Sequence, residues 1–370
     1  MEAEIFRPKI SQRLLSLDFM RGFIMVLLAL ESAGLYEHLS DASSEDSLFH
    51  GFMQQFFHHP WNGLHFWDLI QPGFMFMAGV SMAYSLRKQK QEGYSWNKSF
   101  RKTLKRCAWL FFWGVLDYAV RKNGLSFELW DVLTQLSFTT LVAFLIFEWS
   151  TTAQIIFCIF LLLLTEVLYR FANIPNFNQP FIDQHNFGNY VDTILMNKIN
   201  SGGWVAINCI PTAVHTIAGA LAGKLLLSNK NKLSKLIGWG IGCLIVGYAM
   251  DMAHITPIIK RIATTSFTIT SLGWVLLFLA TAYWWVDVKG HRKHLLFFTI
   301  VGMNSLFIYL FFEIVGHRWF TEYINVIMFN ATAWVTGNDF IQHLVAAATV
   351  FGLEWYLCYF LYKHKVFIRL

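Results

Sequence analysis

Long apolar runs recur along this chain, and they restrict its possible folds more than any other feature. Runs of about twenty residues rich in Leu, Phe, Ile and Trp alternate with short polar segments. About twenty residues is the length at which a helix crosses roughly 30 Å of hydrocarbon. The strict alternation of barrel strands is absent, and backbone groups in lipid must be satisfied within each segment. The sequence therefore predicts an all-α, polytopic membrane protein.

We expect about ten membrane spans, or eleven if the weakly apolar segment 323–334 is one more. The composition agrees, because only 14% of the residues are charged against about a quarter in soluble domains. No internal repeat or Pro-rich linker divides the chain, so we interpret residues 1–370 as a single domain. The ten spans are predicted at 15–35, 64–85, 107–120, 127–147, 152–171, 203–227, 234–252, 265–286, 295–314 and 341–362.

The basic residues predict the orientation of these spans. The loop 36–64 contains no Lys or Arg, whereas the segment from Arg87 to Arg106 contains eight. By the positive-inside rule, 87–106 is cytoplasmic and 36–64 faces outward. Ten spans then place both termini in the cytoplasm. The net charge of +6 is explained by topology, and nucleic acid is not an expected partner.

The five cysteines lie in or beside apolar runs and lack CxxC spacing. Neither a disulfide framework nor a metal site is therefore predicted, and core packing is the simpler interpretation.

A histidine and an aspartate at the start of the second span are the candidate catalytic residues. His58 lies ten residues before Asp68, with Trp61 and Asn62 between them. An ionisable side chain in a spanning helix is costly and is by default a functional hypothesis, and imidazole moves protons near neutral pH. The alternative interpretation is a solvated loop histidine. We expect a turn to fold His58 over the outer end of the helix, where Asp68 would orient it.

Further polar residues lie inside the predicted spans. Asp18 and Arg21, three residues apart, can pair on one helix face, either as a site or as anchors at the membrane surface. Asn304 and Ser305 are predicted near mid-membrane, where they would line a substrate passage or join helices. His215 is another intramembrane polar group, for which contact with substrate is the less favoured interpretation.

Four sequence blocks carry a resemblance to a known family. They are SLDFMRG (16–22), H-x-x-WNGL-x-x-x-DL-x-x-P (58–72), PIIKRIATTSF (257–267) and GMNSLFIY (302–309). Their order and spacing resemble the transmembrane acetyltransferases typified by heparan-alpha-glucosaminide N-acetyltransferase and its shorter bacterial relatives.

The resemblance implies transfer of an acetyl group from cytoplasmic acetyl-CoA to the amino group of a terminal glucosamine on the far side of the membrane. It implies His58 as the active-site histidine, with Asp68 as its acidic partner. Trp61, Asn62, Asn304 and Ser305 then become candidate substrate contacts. Arg106 matches a basic family position, and the basic cytoplasmic loop would attract the phosphates of CoA.

Two positions depart from the family pattern. Ser32, beside Glu31, stands where the family often has Asn, and Gln135 replaces an Arg. The related acyltransferase-3 family has a similar first block, but it needs a His where Ser32 stands. An O-acyltransferase of cell-surface sugars is therefore the weaker alternative.

The leading hypothesis is an N-acetyltransferase of the bacterial inner membrane, working by direct transfer or through an acetyl-His58 intermediate. A sugar transporter is the rival from another class, suggested by the intramembrane polar residues. It is disfavoured by the lack of an inverted repeat. Gly219 and Gly223 form a GxxxG motif, which predicts helix packing and, with the small undivided chain, a homodimer.

Overall fold

The computed structural model describes residues 14–121, 125–228 and 231–368, and every regular element in these ranges is helical. The prediction of an all-α fold is confirmed. The fifteen α-helices are α1 (Leu15–Ser32), α2 (Leu35–Asp41), α3 (Leu48–Gln54), α4 (Ile70–Gln91), α5 (Trp96–Ala119), α6 (Val132–Leu145), α7 (Thr151–Phe171), α8 (Phe187–Met196), α9 (Cys209–Leu227), α10 (Lys232–Met252), α11 (Thr265–Ala282), α12 (Leu295–Met303), α13 (Ser305–Phe311), α14 (Thr321–Ala333) and α15 (Asp339–Lys363).

Six helical segments of the described chain are long and apolar enough to cross a membrane, and two bent pairs raise this number to eight. The predicted number of about ten is higher than this count. α5 does not qualify because its first half carries the basic residues of the predicted cytoplasmic loop. α6 has only 14 residues, about 21 Å at 1.5 Å per residue, which is shorter than the hydrocarbon layer. The segment 323–334 belongs to a continuous helical run, Ser305–Ala333.

Glycines set a very close helix contact between α4 and α9. A Cβ on Gly79 would lie 2.0 Å from the carbonyl oxygen of Thr216, and one on Gly219 would lie 2.0 Å from that of Phe76. The two backbones therefore touch. Gly223 packs against α4 as well, so the predicted packing role of the GxxxG motif is fulfilled within one chain. The homodimer stays a prediction, without support from this motif.

Two breaks bend helices near the functional regions. α1 and α2 meet at an angle of 59° around Gly34, whose φ of +75° favours glycine. α12 and the run that starts with α13 meet at 75°, with Asn304 at the break.

The carboxylate of Asp287 accepts hydrogen bonds from the backbone N–H groups of Leu15 and Ser16 at 3.3 and 3.1 Å, which caps the start of α1.

α7 and α10 carry rows of exposed apolar side chains, including Ile155, Ile159, Ile241 and Ile245. In a soluble protein such surfaces would bind a partner. On spanning helices they are the surface that hydrocarbon covers.

Candidate active site

His58 and Asp68 contact each other as the sequence predicted. Nδ1 of His58 lies 3.0 Å from Oδ1 of Asp68. The other carboxylate oxygen accepts the backbone N–H groups of His59 at 3.2 Å and His65 at 2.8 Å. These bonds fold the loop 58–65 back over the 3₁₀ turn Phe66–Leu69 that precedes α4. Asp68 is 1% exposed and the His58 side chain 39%, so the carboxylate is enclosed while the imidazole stays accessible.

Lys260, which the sequence analysis did not single out, completes this group. Its Nζ lies 3.0 Å from Nδ1 of His58 and 3.6 Å from Oδ1 of Asp68, and its side chain is 6% exposed. It comes from the segment between α10 and α11, which pairs with the His58 loop because Gly63 N–H donates to the carbonyl of Ile258 at 2.8 Å. Its presence in the resembling block PIIKRIATTSF was the available signal.

Burial, together with the charge of Lys260, keeps the ring of His58 neutral. Burial and then the positive charge of Lys260 lower the pKa of His58 from 6.5 to about 4, although its hydrogen bond to Asp68 acts in the opposite direction. Burial lowers the pKa of Lys260 from 10.5 to about 8, while Asp68 partly offsets this. At pH 7 a neutral imidazole therefore lies beside a carboxylate and an ammonium that balance each other's charge.

The hydrogen bonding of Nδ1 decides what the opposite ring nitrogen can do. If Nδ1 carries the proton and donates it to Asp68, Nε2 has a free lone pair and can act as a base or a nucleophile. If Nδ1 accepts a proton from Lys260, Nε2 carries the proton instead. Within the described part of the chain, Nε2 has no hydrogen-bond partner.

Trp204 lies beside the imidazole of His58, and Trp61 packs next to Trp204, against Gly203. The ring of Trp204 stands edge-on to the imidazole at 5.5 Å between centroids, and Lys260 Nζ lies 5.2 Å from the centroid of the same ring. Trp61 packs against Gly203 and donates its indole N–H to the carbonyl of Phe181 at 2.8 Å. Trp61 is thus partly engaged by the protein, and Asn62 is exposed. Trp204 was missed because it falls between the family blocks.

Four of the candidate binding residues share a cavity of about 510 Å³: Asp18, Arg21, Arg106 and Ser305 line it together with apolar side chains of α4, α5 and α6. Arg21 donates to the Ser81 hydroxyl at 2.9 Å and lies 3.5 Å from Asp18. Arg106 also points to this cavity, and in the described ranges no carboxylate is paired with it. An unpaired guanidinium in an enclosed space is suited to bind an anionic ligand.

The cavity and the His58 group lie along the same helix. Phe74, Ala78 and Ser81 of α4 line the cavity, whereas Asp68 stands just before the start of α4. At 1.5 Å per residue, Phe74 is about 10 Å and Ser81 about 20 Å from Asp68 along the helix axis. α4 therefore links the group of His58, Asp68 and Lys260 to the cavity that Arg106 lines.

The side chains of Asn304, His215 and Ser32 bind other parts of the protein and do not line the cavity. The Asn304 side chain donates to the carbonyl of Val366 at 3.1 Å and accepts the N–H of Ile368 at 2.9 Å, so it holds the C-terminal segment. His215 is fully buried, with Nε2 2.9 Å from the Ser271 hydroxyl, and lies between α9 and α11. Ser32 is buried and donates to Glu354 at 2.9 Å.

Among residues 14–121, 125–228 and 231–368, no three His, Cys, Asp or Glu side chains are grouped so as to hold a metal ion. The absence of a metal in the mechanism stays a prediction.

Comparison with known proteins identifies the family. The family described as "Heparan-alpha-glucosaminide N-acetyltransferase, catalytic" matches residues 13–244, which is more than half of the chain. The chain belongs to that family. The resemblance drawn from the four sequence blocks is confirmed, and the matched region contains His58, Asp68 and Arg106. With its apolar helices, this family member is an integral membrane protein.

A curated relative extends the match beyond this region. The mouse (Mus musculus) heparan-alpha-glucosaminide N-acetyltransferase is 24% identical over 431 aligned residues, covering 98% of this chain and 61% of the mouse protein. The chain therefore spans about three fifths of the length of that relative. Lys260 lies in this wider alignment and outside the family match.

Proposed function

We propose that this protein transfers an acetyl group from acetyl-CoA on the cytoplasmic side to the amino group of glucosamine, or of a terminal glucosaminide, on the outer side. The observation that carries this proposal is the arrangement along α4. A histidine with a buried carboxylate stands at one end, and a cavity with an unpaired arginine lies alongside the other.

The residues present fit acetyl-CoA. Arg106 and Arg21 would bind the phosphates at the inner end of the cavity, and the apolar lining from α5 and α6 suits an uncharged arm. Bound there, acetyl-CoA supplies an acetyl group activated as a thioester. The wall of the cavity formed by α4 leads toward Asp68 and His58.

His58 acts as the general base in this proposal. Nδ1–H donates to Asp68, which fixes the tautomer and leaves the Nε2 lone pair to take the proton from the acceptor nitrogen. The amide C–N bond forms as the thioester C–S bond breaks, and the thiolate receives a proton. Trp204 and Trp61 offer the apolar faces on which a sugar ring can pack.

The competing route passes through an acetyl group on Nε2 of His58. The two routes differ in one observable, since only the covalent route releases CoA before an acceptor is present. Mixing enzyme with acetyl-CoA alone and measuring free thiol therefore distinguishes them: one equivalent of thiol per active site supports the intermediate.

Turnover in purified protein tests the function itself. Protein in detergent, supplied with acetyl-CoA and glucosamine, is expected to form N-acetylglucosamine, and His58→Ala is expected to lower the rate at least about a hundredfold, the usual loss when a general base is removed. His254→Ala is the matched control, because His254 is exposed and belongs to neither group. Transport of the sugar without acetylation, or acetylation of a hydroxyl instead, would contradict the proposal.

A further inference from the structure

Two glutamines meet on the route between the cavity and His58. Gln71 of α4 donates its side-chain N–H to Oε1 of Gln135 of α6 at 2.6 Å. Gln135 is 1% exposed, and its nitrogen lies 3.4 Å from the carbonyl oxygen of Trp130. This amide pair belongs neither to the His58 group nor to an apolar core.

The position of Gln71 follows from its spacing along α4. It lies three residues after Asp68 and three before Phe74, which lines the cavity, as do Ala78 and Ser81. Residues three or four apart share a helix face, so Gln71 lies on the same face of α4 as Phe74, Ala78 and Ser81, and Asp68 precedes it in the 3₁₀ turn Phe66–Leu69. Gln71 is one helical turn from the carboxylate and one turn from the cavity.

Gln135 faces the same region from the opposite helix. Val132, Leu133 and Leu136 of α6 line the cavity, and Gln135 is three residues from Val132 and adjacent to Leu136. The hydrogen bond between Gln71 and Gln135 therefore joins α4 to α6 between Asp68 and the cavity-lining residues of α4.

The apolar lining of the cavity gives the amide pair a specific role in binding a ligand. The lining between Ser81 and Phe74 is largely apolar, with Met77 and Leu110 among the contributing side chains. A ligand arm that contains amide groups loses its hydrogen bonds to water there, and each unpaired buried amide costs about 1–3 kcal/mol. Gln71 is partly exposed, and in the described structure only one of its two side-chain N–H bonds and neither carbonyl lone pair is in use.

We propose that the Gln71–Gln135 pair is a subsite that binds an amide group of the ligand arm carrying the thioester. Gln71 makes the contact, and Gln135 orients it by accepting its other N–H. This rests on the proposed function, since it assumes that a CoA thioester enters the cavity. It also gives a role to Gln135, which stands where the family pattern has Arg.

Binding of free CoA tests the subsite without requiring turnover. By isothermal titration calorimetry, Gln71→Met is expected to weaken CoA binding about tenfold, the equivalent of one hydrogen bond of about 1.4 kcal/mol. Gln154→Met is the matched control. Gln154 is as buried as Gln135 and donates to the carbonyl of Phe147 at 2.8 Å, outside the cavity lining, so CoA affinity should be unchanged. A wild-type dissociation constant in Gln71→Met overturns the inference.

The double variant Gln71→Met/Gln135→Met separates ligand binding from helix packing. Methionine has a similar volume to glutamine and adapts to irregular space, so the double variant removes the amide pair without leaving either amide unpaired. It should bind CoA no better than Gln71→Met. Recovery of wild-type affinity would reduce the pair to a packing contact and overturn the inference, and the double variant carries the test if Gln71→Met does not fold.

Failure of this inference can be told from failure of the proposed function. If the wild-type protein binds no CoA, the proposed function fails and the subsite fails with it. If the wild-type protein binds CoA and acetylates glucosamine, while both glutamine variants bind CoA normally, only the subsite is wrong.

Discussion

At the scale of single residues, the His58 group is defined by competition for one nitrogen atom. Asp68 Oδ1 and Lys260 Nζ each lie 3.0 Å from Nδ1 of His58. They lie 3.6 Å from each other. Asp68 favours a proton on Nδ1, whereas Lys260 disfavours any positive charge on the ring. Burial and Lys260 outweigh Asp68 and keep the imidazole neutral, in a setting where an unbalanced charge would be costly.

The charge of Lys260 should be visible in the pH dependence. In the wild-type protein the acid limb of kcat/KM that reports His58 is expected near pH 4, in line with its lowered pKa. Lys260→Met removes a positive charge close to His58. This removal favours the protonated ring, so the pH of the acid limb should rise toward 6.5. The measurement is kcat/KM for the acceptor from about one pH unit below the wild-type limb up to the neutral range in both proteins.

Lys260→Arg keeps the charge and is the matched variant, so its acid limb should stay close to that of the wild type. Protonation of the acceptor amine affects all three proteins equally and cancels in the comparison. An acid limb that does not move in Lys260→Met would remove Lys260 from the control of His58.

At the scale of secondary-structure elements, α4 organises the protein. Its backbone packs against that of α9 through Gly79 of α4 and Gly219 of α9. The opposite side of α4 carries Gln71, Phe74 and Ser81. A shift of α4 would therefore move the cavity wall and the carboxylate of Asp68 together. The close contact holds the helix that both parts of the candidate site share.

Gly79→Ala should destabilise the protein by about 1–3 kcal/mol, as overpacking typically does, because the new methyl group would overlap the backbone of Thr216. Gly242→Ala in α10 is the control, since a Cβ there meets nothing within 4 Å. Thermal unfolding in detergent measures both. Equal midpoints for the two variants would mean that α4 and α9 are not in contact at Gly79.

At the scale of the whole molecule, function depends on which side of the membrane each end of α4 faces. The loop 36–64 lacks Lys and Arg, and the segment after α4 is rich in them. The positive-inside rule therefore predicts that His58 lies outside and that the ends of α4 and α5 that bear the basic residues lie inside.

Cysteine labelling tests this orientation. In intact cells, Asn62→Cys should react with a membrane-impermeant maleimide, and Lys98→Cys should react only after permeabilisation, because both positions are exposed and are predicted to lie on opposite sides. The wild-type protein, with five cysteines that are buried or half-buried, gives the background. The reverse pattern would place His58 in the cytoplasm and end the proposed route.

Local patterns predicted much of this architecture. Helical spans follow from apolar runs whose length matches the hydrocarbon layer, so the fold class could be predicted without tertiary information. The pairing of His58 with Asp68 was also accessible, because ten residues and one turn separate them. The predicted number of spans exceeds the six to eight found among the described residues, since hydropathy does not reveal that α6 is short or that α12 ends in a bend at Asn304.

Tertiary structure alone decided the partners that are distant in sequence. Lys260 is 202 residues from His58, and Gln135 is 64 residues from Gln71, so no helical periodicity connects them. The same holds for Asn304, whose polar side chain binds the C-terminal segment instead of lining the cavity. A sequence specifies which side chains are too costly to leave unpaired in a membrane, but only the packing of helices determines which partner each of them meets.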